Sequence, residues 1–221
     1  NKQKEIVVQD IKNMLYLISN TGKILWKKQL NGPVLGQIEQ IDIYKNGRLQ
    51  LAFTTPHKLY IIDRNGNDVS PFPGNFNDAI TQPLSVFDYE KTKNYRLLIT
   101  QGKNILMYDT GLKTVDGFNF KSANNTIISQ PQHFRIGTKD YIAFKTQNKL
   151  YFLDRTGNIR INPKTTSSFS NEAIYVYNDK FITTSTEGNL ITIDTRGNSV
   201  SQNLNLSEQH HIDSSSKTLV T

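Results

Sequence analysis

Few residues of this chain could do chemistry, and their spacing decides what kind. Two loops bring oxygen donors close together. One reads DIYKNGR, with Asp42, Asn46 and Gly47; the other reads DYEKTKN, with Asp88 and Glu90. Closely spaced Asp and Asn suit a hard divalent cation, which takes about six to eight oxygen ligands. Both loops also carry lysine, and an ammonium beside the donors opposes such a cation. They read as plain hairpins, and no metal-ligating residue is assigned. The histidines offer little more. His57 and His133 stand alone on strand edges. His210 and His211 are adjacent, so on a strand they face opposite sides and cannot share one metal. Cysteine is absent, which excludes a disulfide framework, a thiolate zinc site and a cysteine nucleophile. Neither a G-x-S-x-G elbow nor a glycine-rich phosphate loop occurs. Carboxylates are dispersed, mostly at turns. The sequence therefore assigns no catalytic residue and no cofactor.

The elements that carry these residues repeat. One phrase recurs five times: MLYLISNTGK (14–23), KLYIIDRNGN (58–67), NILMYDTGLK (104–113), KLYFLDRTGN (149–158) and NLITIDTRGN (189–198). Its turn positions, Ser19, Asp63, Asp109, Asp154 and Asp194, are spaced by 44, 46, 45 and 40 residues. Each phrase is a short run rich in Tyr, Ile and Leu followed by a turn, the signature of a strand. The turn is Asp-x-x-Gly in three copies. The Asp side chain accepts a backbone N–H two residues on, and Gly66, Gly157 or Gly197 takes positive φ without steric cost. In the third copy Gly111 comes one residue early and Leu112 takes the glycine's place, so a tighter hairpin is expected there.

A second phrase precedes the first: IDIYKNGRLQLAFTT (41–55), VFDYEKTKNYRLLITQ (86–101), HFRIGTKDYIAFKT (133–146) and IYVYNDKFITTST (174–186). Each reads as strand, polar turn, strand. One repeat is thus four short antiparallel strands. A period near 44 residues with strand character is the length of a propeller blade, and radial blades make an all-β β-propeller. No window shows the 3.6-residue apolar period of a helix. The expected division is a single domain over 1–221, with blades at about 1–33, 34–77, 78–120, 121–162 and 163–206, and the start of another at 207–221. That makes about five and a half blades. Either HHIDSSS supplies the missing first strand and closes a six-bladed ring, or the chain belongs to an intact ring of seven or eight. The second is favoured, because KTLVT would be surplus in a closed ring. The start NKQKEIVVQ, without Met or signal-like features, and the end inside a strand-like stretch read as cuts from something longer.

KLYIIDRNGN, together with MLYLISNTGKILWKK, resembles the quinoprotein-like propeller repeat, in which a strand, an Asp-x-x-Gly turn and a final Trp-bearing strand follow one another. IDIYKNGRLQLAF is similar to the integrin-α-like repeat, whose calcium loop precedes an apolar strand, and SPFPGNF and TVDGFNF are similar to that repeat's ends. The whole chain looks like the C-terminal propeller region of a group of uncharacterised Gram-negative envelope proteins. The resemblance implies architecture and, through the envelope proteins, an extracytoplasmic location in the periplasm or at the outer membrane. It implies no activity, because one fold hosts many functions. Quinoprotein dehydrogenases need a Trp-bearing motif in nearly every blade, and Trp26 is the only tryptophan here. Its expected place is between adjacent blades.

Composition narrows the partners. The net charge is +7, with 36% hydrophobic, 20% charged and 10% aromatic residues. This is too apolar for a disordered tail, and no apolar run of about 18 residues could span a membrane as a helix. Lys and Arg are scattered through every repeat, unlike the one-faced footprint of a nucleic-acid binder. The densest basic cluster lies in the first repeat; a solvated basic surface is the default reading, with an acidic protein or a membrane surface as the charge-matched partner. The expected function is a non-enzymatic protein-interaction scaffold of the bacterial envelope. The long loops 70–83 and 118–131 are its expected contact regions. Alternatives are small-ligand or carbohydrate binding, or hydrolase or lyase chemistry, at the propeller funnel. A further one is an accessory role in outer-membrane protein assembly, by resemblance to the propeller lipoprotein of that machinery. An exposed, uncharged edge strand would favour this last reading.

Overall fold

A computed structural model describes residues 4–165, 167–207, 209–215 and 217–220. It divides into two compact units. One runs through Gln101 and includes Leu106–Val115; the other comprises Gly102–Ile105 and the chain from Asp116 on. Among the described residues every regular element is a strand.

The first sheet holds β1 (Ile6–Gln9), β2 (Met14–Ile18) and β3 (Ile24–Gln29). The second holds β4 (Glu39–Ile41), β5 (Gln50–Thr55), β6 (Lys58–Ile62) and β7 (Gly74–Asn75). The third holds β8 (Ser85–Phe87), β9 (Arg96–Gln101) and β10 (Asn104–Tyr108). The fourth holds β11 (Gln132–Ile136), β12 (Lys139–Thr146), β13 (Lys149–Leu153) and β14 (Ile159–Ile161). The fifth holds β15 (Tyr175–Tyr177), β16 (Lys180–Thr184), β17 (Asn189–Ile193) and β18 (Ser199–Asn203). A last pair, β19 (Asp213–Ser214) and β20 (Leu219–Val220), follows. Each sheet is an antiparallel meander in chain order, as hairpin connections require. In the third sheet the fourth strand shrinks to single bridges, Tyr108 with Thr114 and Asn104 with Ser122.

The middle strands bury both faces. Ala52 to Thr55 on β5, Leu97 to Thr100 on β9 and Tyr141 to Thr146 on β12 are all buried. Such strands read as near-continuous apolar runs rather than alternating ones. In the first unit Ile41, Leu59, Ile61, Leu97 and Ile99 share one core cluster. In the second, Tyr141, Phe152, Phe169 and Phe181 share another, and Phe152 and Phe181 have ring centroids 4.4 Å apart.

The turns form as their residues demand. Asp63 Oδ1 accepts the N–H groups of Asn65 at 2.8 Å and Asn67 at 2.9 Å, and Asp154 and Asp194 do the same two and four residues on. The third copy corrects the expectation of a tighter hairpin. Asp109 Oδ1 accepts from Gly111 and Lys113, and the Asp109 N–H donates to the Lys113 carbonyl, the same frame as the others. Leu112 simply adopts a φ of +59° itself.

A size match across neighbouring sheets explains why. Gly66 lies under Trp26, so a Cβ there would come within 2.9 Å of the indole. At the next turn large and small change places. Leu112 reaches over Gly74 of β7, whose hypothetical Cβ would meet Leu112 Cδ1 at 2.8 Å. The strain of a left-handed leucine is offset by packing, since Leu112 lies against the core cluster of the first unit.

Candidate functional site

A backbone register identifies equivalent positions in four sheets. The N–H of Leu35 donates to the Thr54 carbonyl, Thr81 to Thr100, Ile128 to Lys145 and Ser170 to Thr184, at 2.8 to 3.0 Å. Three of these acceptors are buried threonines, and the fourth is a lysine. Lys145 is fully buried, with 0% exposure. Its Nζ donates to Thr183 Oγ1 at 2.6 Å, and the Thr183 hydroxyl donates to the Ala173 carbonyl at 3.2 Å. Burial pushes the amine down to about 7, against the pull of the Glu172 carboxylate. An amine near neutrality is a potential nucleophile or base. Here it is enclosed, so it has the electronic state of a catalytic lysine without access to a substrate.

A cavity of about 790 Å³ lies in the same unit, lined by Phe169, Ser170, Glu172, Thr186, His210 and His211 among others. Glu172 accepts from His211 Nδ1 at 3.0 Å and from the Ile212 N–H at 3.1 Å. His210 Nδ1 faces the Ser207 carbonyl, so its Nε2 accepts from the Thr184 hydroxyl at 2.6 Å. The adjacent histidines thus take separate partners. Among the described residues no cluster of three or more His, Asp or Glu could hold a metal ion.

His133, expected to stand alone, belongs to a charge cluster. Asp140 on β12 accepts from His133 Nε2 at 2.7 Å, Arg135 Nε at 2.9 Å and Arg155 at 2.6 Å. The register pairs Arg135 directly with Asp140, and the Asp154 turn presents Arg155. Burial pushes the Asp140 carboxyl up, but the hydrogen bonds from Arg135, His133 and Arg155 outweigh it and hold it at about 2. Sequence reading missed this cluster because its members lie on two strands and a turn.

The Asp42 and Asp88 loops share one geometry. Each carboxylate accepts two backbone N–H groups four and five residues on: Asn46 and Gly47 for Asp42, Thr92 and Lys93 for Asp88. The Lys93 ammonium then reaches Asp42 Oδ2 at 2.5 Å, where an incoming cation would have to sit. Its hydrogen bond holds the Asp42 carboxyl below its ordinary value.

The long loops are firmly pinned. Phe72 and Ile80 in one, and Phe118 and Ile127 in the other, are buried. Trp26 is half-buried against Gly66 and donates its indole N–H to the Arg64 carbonyl at 2.7 Å.

The first sheet differs from the others. Its inner face, with Leu15 and Leu17, is buried; Val7 and Trp26 pack against the core beside it. On the other face the register aligns Ile6 with Ile18 and Ile24, and Val8 with Tyr16 and Lys27. Ile6 is 59% exposed, Ile24 54% and Val8 45%. Of the ten large exposed hydrophobics among the described residues, Ile6, Val8, Ile11, Ile24 and Leu25 lie in this one sheet or its first turn. A contiguous apolar face of this kind marks an interaction surface more often than scattered single residues do.

No protein-family profile and no curated protein matches the sequence. Solved structures do match. BBS1N in complex with ARL6DN aligns with a TM-score of 0.62 at 10% identity, covering 89% of this chain and 63% of that one. The Dos1 propeller aligns at 0.60 and 13% identity, covering 87% and 53%. BamB from Moraxella catarrhalis aligns at 0.56 and 12% identity, covering 90% and 65%. The chain therefore spans between about half and two thirds of these structures' lengths. With the antiparallel four-stranded meanders, these likenesses define the class: the chain has the β-propeller fold, with about five blades in 221 residues.

Proposed function

We propose that this chain is a non-enzymatic protein-interaction scaffold of the bacterial envelope, held outside the cytoplasm. The observation that carries the reading is the open apolar face of the first sheet, Ile6, Ile18 and Ile24 beside Val8 and Tyr16, opposite a face that buries Leu15 and Leu17. BBS1N, solved in complex with ARL6DN, shows a similar fold engaged with a protein. The enclosure of Lys145 supports a non-catalytic role, since the most perturbed amine is closed to substrates. The envelope location is supported by the resemblance of the repeats. A second reading, an accessory role in outer-membrane protein assembly, gains support from β1. Its residues, Ile6–Gln9, carry no charge and, among the described residues, lie at the edge of their sheet.

The test is cross-linking and affinity isolation from envelope extract with the wild type and with an Ile6→Lys/Ile24→Lys double variant. Both positions are exposed, so the fold should survive. A stoichiometric partner held by the wild type and lost by the variant is expected. Recovery of no stoichiometric partner would sink the reading.

A further inference from the structure

We propose that β18, the last strand of the fifth sheet, pairs edge to edge with β18 of a second copy of this chain, about a two-fold axis at Ser201. This surface lies on a different sheet from the apolar face above, and the two stand or fall separately.

The fifth sheet is a complete four-stranded meander, and among the described residues β18 pairs only with β17. The edge of a last strand stays open even where neighbouring sheets cover both faces of its sheet. The second sheet packs against the first through Phe53 and Leu15 and against the third through Ile61 and Leu97, yet its β7 pairs only with β6. What differs between the sheets is how this edge is guarded. Natural edges are blunted by charge, proline, bulges or short length. β3 carries Lys27 and Lys28 and a register shift against β2. β7 is two residues long and follows Pro73. The third sheet keeps only single bridges at this position. β14 is three residues long, with Arg160 at its centre, a register shift against β13 and Pro163 beyond its end. β18 has none of these devices. Ser199–Asn203 is five residues long, holds neither charge nor proline, and runs against β17 without a register shift. Val200, Ser201, Gln202 and Asn203 are all exposed.

The register shows which groups face outward. The Asp194 N–H donates to the Asn198 carbonyl, as Asp63 does to Asn67 and Asp109 to Lys113. In those two sheets the next bonds come two residues further along each strand, from Val69 to Ile61 and from Val115 to Met107. Hydrogen-bonded pairs alternate along an antiparallel ladder. Val200 and Gln202 therefore bond to Thr192 and Leu190 of β17, and Ser199, Ser201 and Asn203 turn their N–H and C=O groups to the open side. Three outward residues centred on Ser201 make the edge self-complementary. An antiparallel copy sets Ser201 opposite Ser201 and Ser199 opposite Asn203, so each outward N–H meets an outward C=O. This is strand addition in its isologous form, which uses up both edges and closes at a dimer. Charge also favours a second copy. The chain carries a net +7, so two copies repel wherever basic strands meet. Pairing β3 or β14 with its own copy would bring Lys27 and Lys28, or Arg160, against their like, and like charges across strands destabilise. From Gly197 to Ser207 no residue is charged, so here an identical strand adds bonds without adding repulsion.

The test is sedimentation of the 221-residue chain from about 5 to 500 μM, the range in which a small, strand-only interface associates. The average mass should climb from monomer toward dimer and stop there. Amide exchange at Ser199, Ser201 and Asn203 should slow as the concentration rises, while Val200 and Gln202 are protected throughout. Ser201→Lys and Ser201→Glu should each weaken the dimer about tenfold, because equal charges meet on the axis, and an equimolar mixture of the two should dimerise again. Ser201→Pro removes only an outward N–H and should give a folded monomer. The Ile6→Lys/Ile24→Lys variant should dimerise like the wild type. A wild type that stays monomeric at about 500 μM, or that grows beyond a dimer, would overturn the inference. So would outward amides indifferent to concentration, a Lys and Glu mixture that stays monomeric, or a dimer that survives Ser201→Pro. Loss of the dimer in the Ile6→Lys/Ile24→Lys variant would place the contact on the first sheet and overturn it equally.

Discussion

Replacing Lys145 by methionine should stabilise the protein, and by an amount that depends on pH. The amine sits fully buried on β12, and burial takes it from its ordinary 10.5 to about 7. One unit is worth about 1.4 kcal/mol, so this displacement sets a ceiling of about 5 kcal/mol on the cost of keeping a lysine there. The folded-state value is depressed. Between pH 7 and 10.5 the unfolded chain therefore holds a proton that the folded chain has released, and stability rises with pH across that window. Below pH 7 the cost is present in full; above 10.5 it is gone. Methionine keeps most of the volume and removes the charge. It also strips Thr183 of its donor, a loss of about 1 kcal/mol. The expected net gain is about 3 kcal/mol at pH 7, shrinking to nothing or reversing slightly near pH 10.5. The readout is urea unfolding by circular dichroism from pH 6 to 10.5, with amide exchange in β12 and β16 reporting on that unit alone. A wild-type stability that stays level across this window, or a methionine variant weaker than wild type at pH 7, would refute the reasoning.

Two further outcomes follow from named contacts. Asp140 is held at about 2 by Arg135, His133 and Arg155 despite its burial, so its contribution is present above pH 3.8 and lost as the pH falls toward 2. Asp140→Asn should cost about 2 kcal/mol at pH 7, and thermal unfolding curves of the variant and wild type should converge by pH 2. At the third turn, Leu112→Gly should gain about 1 kcal/mol from its left-handed φ but lose about 2 of packing on Gly74. Leu112→Ala keeps the strain and loses most of the packing, so it should melt lower than Leu112→Gly. The opposite order would mean that Leu112 is not held by Gly74.

The period and the turn chemistry made the fold legible, because every blade has to solve the same local problem. Asp63, Asp154 and Asp194 fold their turns through contacts within five residues, and such contacts can be read along a chain. The third turn misled because its frame is fixed by a distant residue: Leu112 tolerates positive φ only because Gly74 lies beneath it. Lys145 had a local signal, since aligning AFTT, LITQ, AFKT and ITTS places it in a column of threonines. Its burial did not, because that depends on contacts such as Thr183 of the next sheet, 38 residues away. The same holds for Lys93, whose effect on Asp42 crosses 51 residues.

The two units depart from the repeat in different ways, and the difference bears on function. In the second unit the anomalies are charges turned inward. Lys145 gives its ammonium to Thr183, and Asp140 is saturated by three basic side chains. Each such group is closed to an incoming molecule or already engaged. In the first unit the departure faces outward: an apolar face around Ile6, Val8 and Ile24 on the first sheet. Groups that are satisfied internally contribute to the fold, while groups left unsatisfied on a rigid frame create affinity for something else. On the scaffold reading proposed above, the first sheet is where a partner gains the most by docking, while the buried Lys145 amine costs the fold stability.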